Sequence, residues 1–345
     1  MLQKALELVA SNASYSAALP LTHLVNLKVS NNQLTLSTIN STTTMFVTIP
    51  IQSNDFEIAV ELKPLLAFIK ATTNDVTIKE VNDKLKVKGN GTATFAPIIT
   101  ATNEIATIPD CRNDFDLNIP LNNISNNFAV CTKKLLKSCA TDIDVYSNLY
   151  FGNNTAIGTD ISFAAMQTML TFDQPELLTP ALVKTLGKLP SNLQYTKLDS
   201  KHLYFKAEEE GYLIELIHSL TDNVQQYQFD ALNGLFSAPY SNWLTVDVVN
   251  VKEALKRYNA IEPSAISITL KFTPDSLIIE TDKFIEKIPI TSNLQSEYVA
   301  SYSLQKFKYY IGLFKDMLTI KFDDTPKMLL LSENELQCLV SSWSM

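Results

Sequence analysis

Glycine is scarce in this chain. Only 8 of its 345 residues are glycine, and none stands in a GxGxxG or GxxxxGK[ST] frame, so no loop is equipped to wrap a nucleotide phosphate in backbone amides. Neither the GxSxG turn of serine hydrolases nor the HExxH of zinc hydrolases occurs. The histidines, His23, His202 and His218, are scattered, and no motif places one beside a nucleophile or a metal. Cys111, Cys131, Cys139 and Cys338 form no CxxC pair and have no histidine at zinc-ligand spacing. They read as free thiols of a reducing compartment, serving as small apolar side chains. Asp323 and Asp324 are adjacent acids without the ligand pattern of a cation loop. Glu208–Glu210, ahead of Gly211, reads as a solvated turn. The expectation is therefore a non-enzyme with no metal and no cofactor. No apolar run approaches the roughly 20 residues that span a bilayer. Glu7 interrupts the first apolar stretch, which argues against a secretion signal. A cytoplasmic protein without a membrane partner is expected.

Apolar residues are plentiful, 46% of the total against 19% charged, which suits several packed cores and two or three domains. Val25–Val29, Leu34–Thr38, Lys84–Lys88, Ile266–Leu270 and Leu318–Phe322 alternate apolar with polar residues, the period of half-buried strands. Turn-like breaks separate them, among them Ser30-Asn31-Asn32 and Gly89-Asn90-Gly91. Six segments have helical spacing instead: Leu2–Ser11, Lys63–Thr73, Ser125–Ala140, Leu178–Pro190, Asn250–Ala260 and Ser303–Lys315. Thr179-Pro180 supplies an N-cap followed by proline, Asn250 with Glu253 has capping-box spacing, and Ser303 is a candidate cap. Each helix is followed by strand-like sequence. A helix plus a meander, repeated six times, predicts an α+β fold. Paired units divide the chain into three domains, 1–113, 114–240 and 241–345.

A net charge of −8 and a pI near 5.0, taken alone, argue against nucleic-acid binding. The distribution argues the other way. The six helical segments hold 14 of the 28 basic residues and only two acids, Glu7 and Glu253, for a sum of +12, while the rest of the chain sums to −20. Lysine is a good helix former, but glutamate is equally so, and propensity alone leaves the imbalance unexplained. The cations also segregate by face at about 100° per residue. Lys133, Lys134 and Lys137 oppose Phe128, Cys131, Leu135 and Cys139; Lys63 and Lys70 oppose Leu65, Phe68 and Ile69. Lys184 and Lys188 oppose Leu182 and Leu186, Lys256 opposes Val251, Leu255 and Tyr258, and Lys4 opposes Leu2, Leu6 and Val9. In the last segment Lys306 lies away from Phe307 and Ile311, whereas Lys308 and Lys315 lie nearer the apolar stripe. Mobile lysines facing a polyanion bind phosphates electrostatically and without regard to base sequence. The acidic remainder would focus attraction onto the basic faces.

Three short segments, in order along the chain, carry a resemblance. Leu19-Pro20-Leu21 before the strand at Val25 looks like the Leu-Pro-Ile of the bacterial DNA polymerase III beta sliding clamp family. Ala156-Ile157-Gly158-Thr159-Asp160 looks like the start of that family's Ala-Thr-Asp-Gly-His-Arg-Leu stretch, and Asp323-Asp324-Thr325-Pro326 resembles the turn before its penultimate strands. The resemblance covers essentially the whole chain and implies a three-domain DNA clamp fold whose helices line a central hole. It implies a processivity factor that encircles double-stranded DNA, with Lys4, Lys63, Lys70, Lys133, Lys134, Lys137, Lys184, Lys188, Lys252, Lys256, Arg257 and Lys306 as DNA-facing residues. A replicative DNA polymerase and a separate ATP-driven clamp loader are implied as partners, meeting a hydrophobic pocket carried over to Tyr146, Thr159, Ile161, Phe163, Leu339, Ser341 and Trp343. A head-to-tail homodimer ring is implied, with Phe95 and Ile98 on one side of the joint and Tyr258 and Ile261 on the other. Two departures touch the pocket. Ile161-Ser162-Phe163-Ala164 replaces Gly-His-Arg-Leu, and the chain ends Ser341-Ser342-Trp343-Ser344-Met345 where the family has Met-Pro-Met-Arg-Leu. Such divergence, with many Asn and Ile residues, would suit a bacteriophage or an AT-rich bacterium. A viral structural or receptor-binding β protein is the alternative; it accounts for the strands but not for basic helices at regular spacing. A hydrolase lacks a catalytic constellation.

Overall fold

The computed structural model describes residues 1–345 except 17, 74, 100–103, 125–127, 144, 170–171, 221–223 and 343–345. The alternating stretches are strands, and asparagine closes several of their hairpins. Asn31 and Asn32 (φ 53° and 60°) join strands Leu24–Ser30 and Gln33–Ile39, while Asn82–Asp83 and Asn153–Asn154 make the same two-residue left-handed connection elsewhere. Such turns match the twist of the strands they connect and need residues that tolerate positive φ. Part of the asparagine content is thus structural.

The chain forms two compact units, residues 1–129 with 181–222, and residues 130–180 with 223–345. Each combines segments from two of the three spans drawn on the sequence. In the first unit an eight-stranded antiparallel sheet runs in the order Phe56–Glu61, Leu24–Ser30, Gln33–Ile39, Thr43–Pro50, Tyr212–Ser219, His202–Glu209, Gln194–Lys197, Asn122–Asn123. The strand Thr43–Pro50 pairs with Tyr212–Ser219, Phe46 opposite Glu215, so hydrogen bonding is continuous across segments far apart in sequence. A three-stranded sheet, Thr77–Val81, Lys84–Lys88 and Thr92–Phe95, completes the unit. The second unit has a nine-stranded sheet in which Phe163–Thr168 pairs with Leu336–Ser341, and a four-stranded sheet in the order Phe284–Pro289, Ser276–Thr281, Ser267–Phe272, Tyr298–Ser303.

Seven α-helices occur among the described residues: α1 Leu2–Ala10, α2 Leu62–Lys70, α3 Phe128–Leu135, α4 Pro180–Leu186, α5 Phe229–Phe236, α6 Val248–Ile261 and α7 Leu304–Leu313. Six fall on the expected segments. Residues 125–127 of the third segment lie outside the described residues, and a 3-10 turn, Leu136–Ser138, extends α3. α4 starts at Pro180 and not at Leu178, which ends the strand Glu176–Leu178. Ser303 does cap α7, its hydroxyl accepting from the Lys306 amide. The capping box at Asn250 and Glu253 is not used: α6 begins at Val248, and the Asp247 carboxylate accepts from the Val249 amide at 2.7 Å. The apolar stripes face inward, with Leu6, Val9, Leu65 and Ile69 buried in the first unit and Val251, Leu255, Phe307 and Ile311 in the second.

His218 lies in the wall of the first core. It is fully buried, its Nδ1 is 2.8 Å from Thr43 Oγ1, and its Nε2 has no partner among the described residues. Burial pushes the imidazole from its ordinary 6.5 down to about 4, with nearby His202 adding to the effect. Above the unfolded value both states are neutral and full stability is present. As pH falls from about 6.5 toward 4, the unfolded chain binds a proton that the folded chain refuses, and stability is lost. We expect a loss of about 2 kcal/mol between pH 6.5 and 5, read from urea midpoints, and a weaker dependence in His218→Leu. Equal pH dependence in both proteins would contradict this.

Candidate functional site

The helices concentrate positive charge. Within their bounds stand eleven basic residues and three acids, Glu7, Asp230 and Glu253. On α3 and the turn after it, Lys133 and Lys137 are exposed and Lys134 half-buried, and none has an ion-pair partner among the described residues. The Lys137 ammonium lies 5.4 Å from the centre of the Tyr309 ring, a cation–π contact that leaves the charge available. Lys184 on α4, Lys188 just beyond it, and Lys256 on α6 are exposed. Lys63 rests over the Tyr15 ring at 4.0 Å.

Other cations are engaged. Lys4 pairs with Glu209 at 2.9 Å and Lys70 with Glu7 at 3.2 Å, all four side chains being 41–50% exposed. Pairs this wet are worth at most about 1 kcal/mol and exchange readily for a phosphate. Arg257 pairs with Glu286 and Glu253. Lys252 donates to the Phe314 carbonyl at 2.7 Å, satisfying the C-terminal end of α7. Lys306 is a different case from the expected DNA-facing residue. It pairs with Asp160, with side-chain exposures of 31% and 20%, and sits 5.0 Å over the Phe163 ring. Packing ties Lys306 to the pocket. Between α6 and α7 a groove of about 260 Å³ is lined by Lys252, Leu255, Lys256, Asn259, Lys308 and Ile311. Lys308, exposed and hydrogen-bonded to Asn259 at 3.0 Å, therefore faces outward despite its place near the apolar stripe.

Five expected pocket residues come together in the second unit. Thr159, Ile161 and Phe163 occupy one tight turn between the strands Thr155–Thr159 and Phe163–Thr168, and Ala164 stands opposite Leu339. Gly158 beneath that turn is required by close approach, since a Cβ there would lie 2.6 Å from the Leu135 carbonyl. Ala140 donates its amide to both the Tyr146 carbonyl (2.8 Å) and the Thr159 carbonyl (3.0 Å), which draws Tyr146 to the same place. Tyr146 packs on a buried cluster that includes Tyr150, Ile157, Ala164, Leu330 and Leu339. Leu339 is 3% exposed and belongs to the interior of that cluster. Ser341 ends its strand opposite Met328, and Trp343 lies outside the described residues.

Sequence reasoning missed the wall. α5 and the chain around it press Tyr227, Phe229, Leu232, Phe236 and Tyr240 onto the same cluster. Tyr150 stacks on Tyr227 (5.2 Å) and on Phe229 (4.6 Å), and Tyr146 tilts against Tyr227 at 5.2 Å. A groove of about 570 Å³ runs along this stack, with Pro175, Asn153 and Asp230 among its lining. The signal was the apolar spacing Phe229, Leu232, Phe236 at i, i+3, i+7, masked by Gly234 in a helix of only eight residues.

The expected ring joint fares unevenly. Tyr258 is 3% exposed, its hydroxyl donates to the Ser267 carbonyl at 3.1 Å and its ring meets the edge of Phe284, so it is a core residue with no surface to offer a partner. Ile261, at the end of α6, is 44% exposed. Phe95 is half-buried with its ring edge-on to Phe68, and Ile98 packs on a small cluster of Leu24, Ala59, Ala106 and Ile108.

Helices with basic outer faces, each backed by antiparallel strands, define a modular α+β protein. Its fold is that of the DNA sliding clamps. The structure matches the DNA polymerase III beta subunit of Pseudomonas aeruginosa with a TM-score of 0.82 at 18% identity, covering 100% of this chain and 98% of that one. The beta subunit of Thermotoga maritima gives 0.82 at 10% identity, over 100% and 97% of the two chains. The Helicobacter pylori beta clamp bound to a DNA ligase peptide gives 0.77 at 14% identity, over 100% and 98%. No protein-family model and no curated protein sequence matches the chain. Among the described residues no cluster of His, Cys, Asp or Glu could hold a metal, and no helix is long and apolar enough to cross a membrane.

Proposed function

We propose that this chain is a DNA sliding clamp, a processivity factor and not an enzyme. Copies close head to tail into a ring around duplex DNA, with three domains from each copy. The ring tethers a replicative polymerase through the pocket of the second unit. The observation that carries this reading is the segregation of charge. A chain of net charge −8 places eleven basic residues against three acids on its helices, in a fold shared with sliding clamps. Lys63, Lys133, Lys134, Lys137, Lys184, Lys188 and Lys256 supply sequence-indifferent phosphate contacts, with Lys308 added to them. Lys4, Lys70 and Arg257 join by exchanging exposed carboxylates for phosphates, while Lys252 and Lys306 hold structure. Contacts of this kind position without specifying, as sliding requires.

Two sheet edges suit the head-to-tail joint. Thr92–Phe95 is the last strand of its sheet in the first unit, and Phe284–Pro289 the last of its sheet in the second, with Ile285 68% exposed. An unpaired strand edge is a ready template for another chain, and repeated heterologous contact closes a ring when the rotation allows. A ring of this kind needs a loader to open it, placing the protein with replication proteins in the cytoplasm of a bacterial cell or of a phage-infected host. A viral structural role leaves the charge segregation without a purpose. The test is topological: a closed ring stays on a closed circle of duplex and leaves when the circle is cut.

A further inference from the structure

Glu7 is the single acid within the bounds of α1, α2, α3 and α4, and it does not face solvent alone. Its carboxylate lies 3.2 Å from the Lys70 ammonium of α2, and the Gln3 side-chain amide donates to the same oxygen at 3.2 Å. A second acid reaches these helices from the sheet. The run Glu208–Glu210 closes the hairpin between His202–Glu209 and Tyr212–Ser219. Glu208 is held by Lys206 of its own strand at 2.9 Å, whereas Glu209 meets Lys4 of α1 at 2.9 Å. The hairpin is moored at that point, with the Tyr212 ring 5.1 Å from the Lys4 ammonium and its hydroxyl donating to the Met1 carbonyl at 3.1 Å. The run is thus more than a solvated turn.

These pairs do little for the fold, because all four side chains are 41–50% exposed and ion pairs this wet are weak. They change the free charge of the helices instead. Of the three cations on α1 and α2, Lys4 and Lys70 are held by carboxylates and Lys63 rests on the Tyr15 ring. On α3 and the turn after it, Lys133, Lys134 and Lys137 have no ion-pair partner among the described residues. One chain therefore carries two kinds of cationic face, one open and one already occupied.

We propose that Glu7 and Glu209 are affinity-limiting residues of the DNA-facing helices, internal competitors that hold Lys70 and Lys4 until a phosphate displaces them. The inference rests on the DNA-binding reading given above and adds acids to it. A phosphate that takes either lysine gains only the difference between its own contact and the carboxylate's. The displaced carboxylate is left beside a polyanion, and returns to its lysine when the phosphate moves on. Each stop along the duplex is shallower for it, which favours sliding over holding.

The test uses the full chain and a labelled linear duplex of mixed sequence, titrated by fluorescence anisotropy at about 0.15 M salt. Glu7→Gln with Glu209→Gln keeps side-chain size and frees both lysines. We expect duplex affinity to rise by about tenfold, with the melting temperature within about 3 °C of the parent. In a chain that already carries Lys4→Gln and Lys70→Gln, the same two changes have no cation to free. Their gain there should stay below about threefold, the residue of a repulsion screened over a Debye length of about 8 Å. An affinity unchanged or lowered by the glutamine pair overturns the inference. So does an equal gain in both backgrounds, which would assign the effect to net charge. In either case, binding that is still weakened by joint replacement of Lys133, Lys134 and Lys137 with glutamate leaves the DNA-facing helices standing. Binding that none of these substitutions alters overturns the DNA-binding reading, and the inference falls with it.

Discussion

Replacing Lys133, Lys134 and Lys137 together by glutamate is expected to weaken retention on duplex DNA by roughly 100-fold at about 0.15 M salt. The figure follows from counterion release, in which each phosphate contact contributes a slope of about 0.9 to the dependence of log affinity on log salt. Three lost contacts per chain remove about two orders of magnitude, and reversed charges add repulsion. The fold should survive, because two of these residues are exposed, one is half-buried and none has an ion-pair partner among the described residues. Losses on the protein side come from the cation–π contact of Lys137 with Tyr309 and from acids placed near a helix C-terminus. These amount to about 1–2 kcal/mol at most. The control reverses Lys201, Lys321 and Lys327, which are exposed but lie outside the helices. Electrophoretic or anisotropy titrations across salt should show a flatter slope for the helix variant and an unchanged slope for the control. Equal effects would show that net charge, and not the helical faces, governs binding.

Arg112→Ala is expected to cost about 3 kcal/mol of stability. The guanidinium forms a bidentate pair with Asp110 (2.8 and 2.7 Å), reaches Glu215 at 2.7 Å and stacks 4.3 Å over the Phe46 ring. Glu215, its side chain only 9% exposed, also accepts from the Tyr204 hydroxyl at 2.6 Å. The hydrogen bonds from Arg112 hold the Asp110 carboxyl below its usual range, and burial, followed by Glu215, raises the Tyr204 phenol. Removing the cation strands a buried carboxylate beside a sheet whose strands come from distant parts of the chain. Chemical denaturation should show a lower midpoint at unchanged slope. Glu215→Gln in the same chain removes the stranded charge, keeps an acceptor for Tyr204 and should recover part of the loss. A midpoint unmoved by Arg112→Ala would mean that the network adds nothing to the fold.

Most secondary structure was legible because the two periods are distinct. Leu318–Phe322 alternates cleanly, one face toward a core, and the six basic helices show their apolar stripes at 3.6-residue spacing. Assembly into two units was not legible. The pairings of Thr43–Pro50 with Tyr212–Ser219 and of Phe163–Thr168 with Leu336–Ser341 join segments some 170 residues apart, and no local pattern encodes them. α5 was lost to its glycine and its shortness, and the aromatic wall with it. At the candidate site, charge pattern located the faces, but periodicity cannot tell a free lysine from an engaged one. Lys306 and Lys252 needed their partners Asp160 and Phe314 to be seen. Tyr258 was misread for a similar reason: a large aromatic residue near a helix end looks alike in a core and in a joint.

The central claim is that copies of this chain close around DNA, and retention on circular duplex tests it most directly. The purified chain is mixed with linear duplex, whose open ends a ring can pass over without a loader, the duplex is ligated into a circle, and the mixture is filtered at about 1 M salt, where the Debye length is only about 3 Å and phosphate contacts are largely screened. A topological link survives that wash. The account predicts protein travelling with the circle and released on cutting at a single site. Protein lost from circle and line alike, at a salt concentration that leaves the fold intact, would contradict it.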